Sequence, residues 1–249
     1  MSEPKETFFF SDEYDRGVEW FGQHFAHCSG EKRVGEASTT TMYTTEAPDR
    51  IYEVLGRPEL IFVLRDPVER AYSEYLFFVH KGRIPANISF SDVVFRKRSE
   101  YSERILEMGC YEKFLGPFVD AFGCEKIEVV LHRDFRESPD STLEELFRFL
   151  GLSQEFRPNE LAEHNVTRSP ASPTLYYWVR RCWHIVRDVV ESRFPEMTEE
   201  ARQAVRRVLF SEEKPPMNQE ARAFLQEFYA ESTARLERRL GRDLAHWKE

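Results

Sequence analysis

Leu60-Ile-Phe-Val-Leu-Arg65-Asp66-Pro67-Val-Glu-Arg70-Ala-Tyr72-Ser73-Glu-Tyr75 is the stretch on which the fold turns. Its first five residues are an unbroken apolar run with β-branched members, the pattern of a strand buried on both faces and central in a parallel sheet. Asp66 can cap the helix that follows and Pro67 suits its first turn, so strand passes directly into helix. In that helix Val68, Tyr72, Tyr75, Leu76 and Val79 share the core-facing stripe, and Ser73 falls on its flank. Helical side chains lean toward the N-terminus, which aims the Ser73 hydroxyl back toward the strand end where Arg65 projects. A guanidinium and a hydroxyl placed there, beside a helix N-terminus at the carboxyl edge of a parallel sheet, suit a phosphate monoester. The same spacing also allows Arg65 to pair with a local carboxylate such as Glu69, leaving Asp66-Pro67 as a plain helix start.

Working outward, residues 33–37 read as a short strand and 46–55 as a helix stopped by Gly56. Residues 126–131 read as a second buried strand, and Ser138-Pro139 opens a helix that Gly151 terminates. From Thr174 onward the spacing is helical over 174–194, 198–210 and 218–240, with breaks at Pro195 and Pro215-Pro216. The alternation predicts an α/β fold, a parallel sheet flanked by helices with a helical C-terminal part. No repeat, low-complexity tract or Gly/Ser linker divides the chain, so 1–249 is read as a single domain.

Composition narrows the function. Lys and Arg total 35 against 44 Asp and Glu, a net charge of -9, which argues against a whole-protein grip on nucleic acid or anionic membrane. An anion site must then be local. No apolar run reaches the roughly 18–20 residues of a membrane span, and Met1-Ser-Glu-Pro-Lys-Glu6 lacks signal-peptide character, so a cytoplasmic protein is expected. His24, His27 and Cys28 share a helical turn, but no second Cys/His cluster completes a tetrahedral set, and no metal is expected. Tyr176 to Trp183 mixes aromatics with arginines; it reads as a core helix with outward arginines, with contact to a membrane surface as the lesser reading.

Arg65-Asp-Pro-Val-Glu-Arg-Ala-Tyr-Ser73 resembles the 3′-phosphate-binding motif of the sulfotransferases that use 3′-phosphoadenosine 5′-phosphosulfate (PAPS). Lys5-Glu6-Thr-Phe-Phe-Phe10 with Tyr14-Asp-Arg-Gly17-Val-Glu-Trp20 is similar to the stretch bearing the catalytic glutamate of heparan sulfate-type and bacterial carbohydrate sulfotransferases. Gly35-Glu-Ala-Ser-Thr39, Ile127 to Phe135, and Leu240-Gly-Arg-Asp-Leu-Ala-His-Trp247 resemble further family segments, in the family's order. The resemblance implies a P-loop-NTPase-like sheet, PAPS as co-substrate without a metal, and a small-molecule or glycan acceptor. By carry-over Glu6 is the general base, Arg65 and Ser73 hold the donor's 3′-phosphate, Tyr111 lines the donor pocket and Arg168 is a further donor-site candidate.

Two departures stand out. Family members begin with a buried strand and a Gly-rich loop carrying Lys and Thr/Ser that holds the 5′-phosphosulfate. The spacings Gly17 to Gly22 and Gly30 to Gly35 are followed instead by Gln23-His24 and Glu36-Ala37. The chain is therefore read as lacking that first strand and loop, through a late start or a true loss, and a non-catalytic binder of 3′-phosphoadenosine nucleotides or of a protein partner is the alternative. Ala37 also stands where relatives acting on acidic glycans can carry Lys in a Gly-Glu-Lys-Thr-Pro pattern, which with the negative charge makes a neutral sugar, glycolipid or small alcohol as good an acceptor as a polyanion.

Overall fold

The computed structural model describes residues 1–85, 87–97, 99–154, 169–170, 210–211 and 215–247. In chain order the elements are α1 (Val18–Gln23), α2 (Ala47–Leu55), β1 (Leu60–Leu64), α3 (Pro67–His80), α4 (Phe90–Arg96), α5 (Ser102–Glu107), α6 (Tyr111–Phe122), β2 (Ile127–Leu131), α7 (His132–Glu137), α8 (Pro139–Phe149), the two-residue strands β3 (Ser169–Pro170) and β4 (Phe210–Ser211), and α9 (Gln219–Leu240). The helices expected at 174–194 and 198–210 lie outside the described residues, whereas the one expected at 218–240 is α9. Contacts divide the chain into two compact units, Met1–Asp66 with Cys110–Leu161 and Ala230–Glu249, and Pro67–Gly109 with Ala162–Tyr229.

The first unit is built on β1 and β2, which pair in parallel with Leu60 opposite Ile127 and Leu64 opposite Leu131. Phe62 meets Phe118 of α6 edge to face at 5.1 Å, and Leu64, Leu115, Val129, Leu131, Leu236 and Trp247 close one core cluster. A second cluster is aromatic: Phe9, Phe10, Phe21, Phe118 and Phe122 pack around Ala47 and Ile51 of α2. Burial of side chains this large supplies roughly 1.5–3 kcal/mol each. Gly56 ends α2 with φ of 71°, and Gly151 follows α8 with φ of 64°, left-handed positions where a Cβ would be strained. Lys32 donates to the Gly151 carbonyl and Arg33 to that of Leu150 at 2.8 Å, placing cations on the carbonyl end of α8.

Two expectations change here. β1 is not buried on both faces: Phe62 and Leu64 turn into the core, but Ile61 and Val63 are 40% and 65% exposed. α8 packs on β2, and β1 has β2 as its one ladder partner among the described residues. Residues 33–37 form no strand; isolated bonds from Ser2 N–H to Gly35 and from Ala37 N–H to Lys5 replace a ladder. The stretch after Leu131 turns at once into α7.

The second unit gathers α3, α4, α5 and the first turns of α9. Every residue of the stripe read from sequence on α3 is buried, joined by Ala71 and Phe78. Tyr72 and Tyr75 stack at 6.1 Å and both meet Phe90, whose helix starts in a capping box between Ser89 and Asp92. Burial pushes the Tyr75 phenol up to about 12, and its hydroxyl donates to the Ile88 carbonyl at 2.9 Å. Tyr229 is fully buried, donates to the Leu106 carbonyl at 2.8 Å, and lies where a Cβ on Gly109 would come within 2.6 Å of its ring. The ring cannot swing away without losing that bond. Gly109→Ala is therefore expected to lower stability by about 1–3 kcal/mol, read from the midpoint of urea unfolding at unchanged slope.

Candidate functional site

The N-terminal segment carrying Glu6 is tied side by side to residues 35–39. Thr7 donates through N–H (3.3 Å) and Oγ1 (2.9 Å) to Glu36 Oε1, and Phe8 N–H donates to Ser38 Oγ at 2.8 Å. Ser38 Oγ in turn donates to Glu36 Oε1, so one carboxylate gathers three donors. Phe8 adopts φ of 55°, a left-handed conformation that a bulky residue rarely takes, and its carbonyl accepts from the N–H groups of Ser11 and Glu13. The turn delivers Phe9 and Phe10 straight into the aromatic core, where Phe9 stacks on Phe21 at 4.4 Å. Glu6 stands just before that anchor, half-buried, and its Oε1 accepts from Thr39 N–H (3.2 Å) and Thr39 Oγ1 (2.9 Å).

His24 and His27 serve this same segment. His24 Nδ1 bonds the Glu3 carbonyl and His27 Nε2 the Met1 carbonyl, each at 2.9 Å. Cys28 Sγ lies 3.6 Å from His27 Nε2. Among the described residues no group of three or more His, Cys, Asp or Glu is placed to hold a metal.

Arg65 follows the last residue of β1 and is half-buried. Its carbonyl accepts from the Tyr111 hydroxyl at 2.8 Å, and Tyr111 is itself 3% exposed, packed against Trp247 at 5.8 Å. Tyr111, which the family analogy sets at the donor pocket, thus lies directly behind Arg65. It is a core residue whose polar tip fixes the backbone of Arg65. Ser73, eight positions later, is half-buried on α3 in the second unit. Glu69 of the same helix accepts from Arg222 at 2.6 Å. Arg168 lies outside the described residues.

The role of Thr39, and the bond from Tyr111 to the Arg65 carbonyl, are the contributions that the motifs did not announce. Thr39 sits inside the quoted Gly35-to-Thr39 segment, and only its pairing across 33 positions of sequence with Glu6 shows what its hydroxyl does.

The arrangement is a parallel-sheet fold with an arginine at a strand's carboxyl end and a carboxylate pinned near the start of the chain. A crystal structure of a sulfotransferase from Alicyclobacillus acidocaldarius has the same fold, with a TM-score of 0.66 at 23% identity, covering 94% of this chain and 75% of that one. Residues 48–237 match the sulfotransferase domain family, and the chain belongs to it. Mouse heparan sulfate glucosamine 3-O-sulfotransferase 3B1 is 30% identical over 153 residues, 60% of this chain and 39% of that protein. Mouse bifunctional heparan sulfate N-deacetylase/N-sulfotransferase 4 is 22% identical over 252 residues, 96% of this chain and 26% of that protein. The chain thus spans well under half the length of these two relatives.

Proposed function

We propose that this chain transfers a sulfuryl group from PAPS to a hydroxyl or amine of a carbohydrate-like acceptor. The observation that carries the reading is the Glu6 carboxylate: both its protein hydrogen bonds fall on Oε1, and among the described residues Oε2 has none. An oriented carboxylate with one oxygen open to an incoming hydroxyl is what a general base requires. In the step, Glu6 takes the acceptor's proton as its oxygen or nitrogen bonds to sulfur, and the bond from sulfur to the donor's 5′-phosphate oxygen breaks in line. The products are the sulfated acceptor and 3′-phosphoadenosine 5′-phosphate. Such a transfer rests on positioning and on spreading charge, as phosphoryl transfer does. Arg65, its backbone held by Tyr111, and Ser73 are assigned to the donor's 3′-phosphate from the motif they share.

The relatives named for heparan sulfate support a glycan acceptor. Ala37 and the net charge of -9 keep a neutral sugar, glycolipid or small alcohol level with a polyanion as acceptor. The test is titration with 3′-phosphoadenosine 5′-phosphate, followed by transfer assays from PAPS to neutral sugars and to heparan sulfate. Ligand at 100 times its Kd stabilises by about 2.7 kcal/mol, which in a chain of this size raises Tm by about 5–10 °C. A flat titration with no melting shift overturns the reading. Binding without transfer to any acceptor assigns the chain to the non-catalytic alternative.

A further inference from the structure

We infer that Thr39 is a positioning residue for the Glu6 carboxylate, holding it in the orientation that proton transfer needs; this rests on the proposed role of Glu6 as the base. Thr39 supplies two donors to one oxygen, its N–H at 3.2 Å and its hydroxyl at 2.9 Å. Two donors on Oε1 hold that oxygen and leave Oε2 without a protein hydrogen bond among the described residues. A glutamate without these bonds would sample several rotamers, and fixing one of them ahead of the reaction removes that entropy from the barrier.

Both partners stand on backbone that cannot easily drift. Behind Glu6, Thr7 and Phe8 are bonded to Glu36 and Ser38, and Phe9 and Phe10 are buried in the aromatic core. Behind Thr39, the Thr40 hydroxyl meets the Ser11 hydroxyl at 2.7 Å, Met42 packs on the core beside Leu64, and the Tyr43 ring meets Phe114 at 5.0 Å. The clamp therefore joins two anchored segments.

Position 39 aligns with the proline of the Gly-Glu-Lys-Thr-Pro pattern set against Gly35-Glu-Ala-Ser-Thr39, and proline has neither an N–H nor a hydroxyl. The double donation is thus a property of this chain's own residue, and it is adjacent to the place where the pattern's lysine is replaced by Ala37.

The test is a series at position 39 in the full chain, read as kcat and KM for transfer from PAPS. Thr39→Val, which keeps the N–H, is expected to lower kcat about tenfold, and Thr39→Pro, which removes both donors, about a hundredfold. KM for PAPS and the affinity for 3′-phosphoadenosine 5′-phosphate should stay within twofold, and Thr39→Ser should recover most of the rate. Thr39→Ala guards against a misfolded proline variant, with Tm checked for each. The decisive measurement is the cycle with Glu6→Gln: in that background the loss from Thr39→Val should vanish, because no base is left to orient. An undiminished loss there, or unchanged kcat in Thr39→Val and Thr39→Ala when Glu6→Gln is inactive, overturns the positioning role and leaves Glu6 as the base. A wild-type chain that transfers no sulfuryl group overturns the functional reading itself.

Discussion

Glu6→Gln is expected to lower kcat for sulfuryl transfer by about two to four orders of magnitude while the affinity for 3′-phosphoadenosine 5′-phosphate stays within twofold. Glutamine has the size of glutamate, and its carbonyl oxygen can still accept from the Thr39 N–H and hydroxyl, so the local bonding survives. What disappears is the oxygen able to take a proton. The residue is half-buried and lies outside the aromatic core, so Tm should move by no more than about 2 °C, in keeping with substitutions away from packed sites. Single-turnover transfer to a saturating acceptor, compared with calorimetric titration of the desulfated donor, separates the two quantities. Unchanged kcat in Glu6→Gln removes Glu6 from the chemistry, even if nucleotide binding stands.

Where local pattern and tertiary environment agree, the chain can be read directly. The stripe of α3 is an example: Val68, Tyr72, Tyr75, Leu76 and Val79 recur at helical spacing, and all five are buried. Gly56 and Gly151 end or follow their helices at positive φ, as glycine at a helix end leads one to expect. β1 is the counter-example. Its five apolar residues have no polar member to betray an open face, so periodicity could not separate a strand covered on both sides from one with Ile61 and Val63 in solvent. That difference depends on which elements pack over the strand, and these come from elsewhere in the chain. Residues 33–37 misled for a related reason: their apolar members suggested a ladder, whereas Arg33 serves the end of α8 and Glu36 collects donors from Thr7 and Ser38. The motifs named Glu6 and Arg65 but not the groups that hold them. Thr39 reaches Glu6 across 33 positions and Tyr111 reaches Arg65 across 46, separations over which single-sequence spacing carries no information.

Arg65→Ala is expected to weaken binding of 3′-phosphoadenosine 5′-phosphate by roughly ten- to a hundredfold, the range set by hydrogen bonds to a charged partner at about 1.5–3 kcal/mol. Arg65→Lys keeps the charge but loses the planar fork, and its loss should be smaller. On the proposed pairing of a doubly charged phosphate with the half-buried Arg65, wild-type affinity should fall as salt rises, and that dependence should flatten in Arg65→Ala. Tyr111→Phe offers a finer probe. It removes the 2.8 Å bond to the Arg65 carbonyl while keeping the guanidinium and the aromatic ring that packs against Trp247. If the fixed backbone matters for aiming Arg65, Tyr111→Phe should weaken nucleotide binding about two- to fivefold and should add little to Arg65→Ala, since the two act through one contact. Ser73→Ala, removing a single neutral donor, should cost about three- to tenfold. Nucleotide affinity unchanged in both Arg65→Ala and Ser73→Ala would detach the motif from the phosphate. The junction after β1 would then be a helix start and nothing more, with Tyr111 reduced to a brace on the end of a strand.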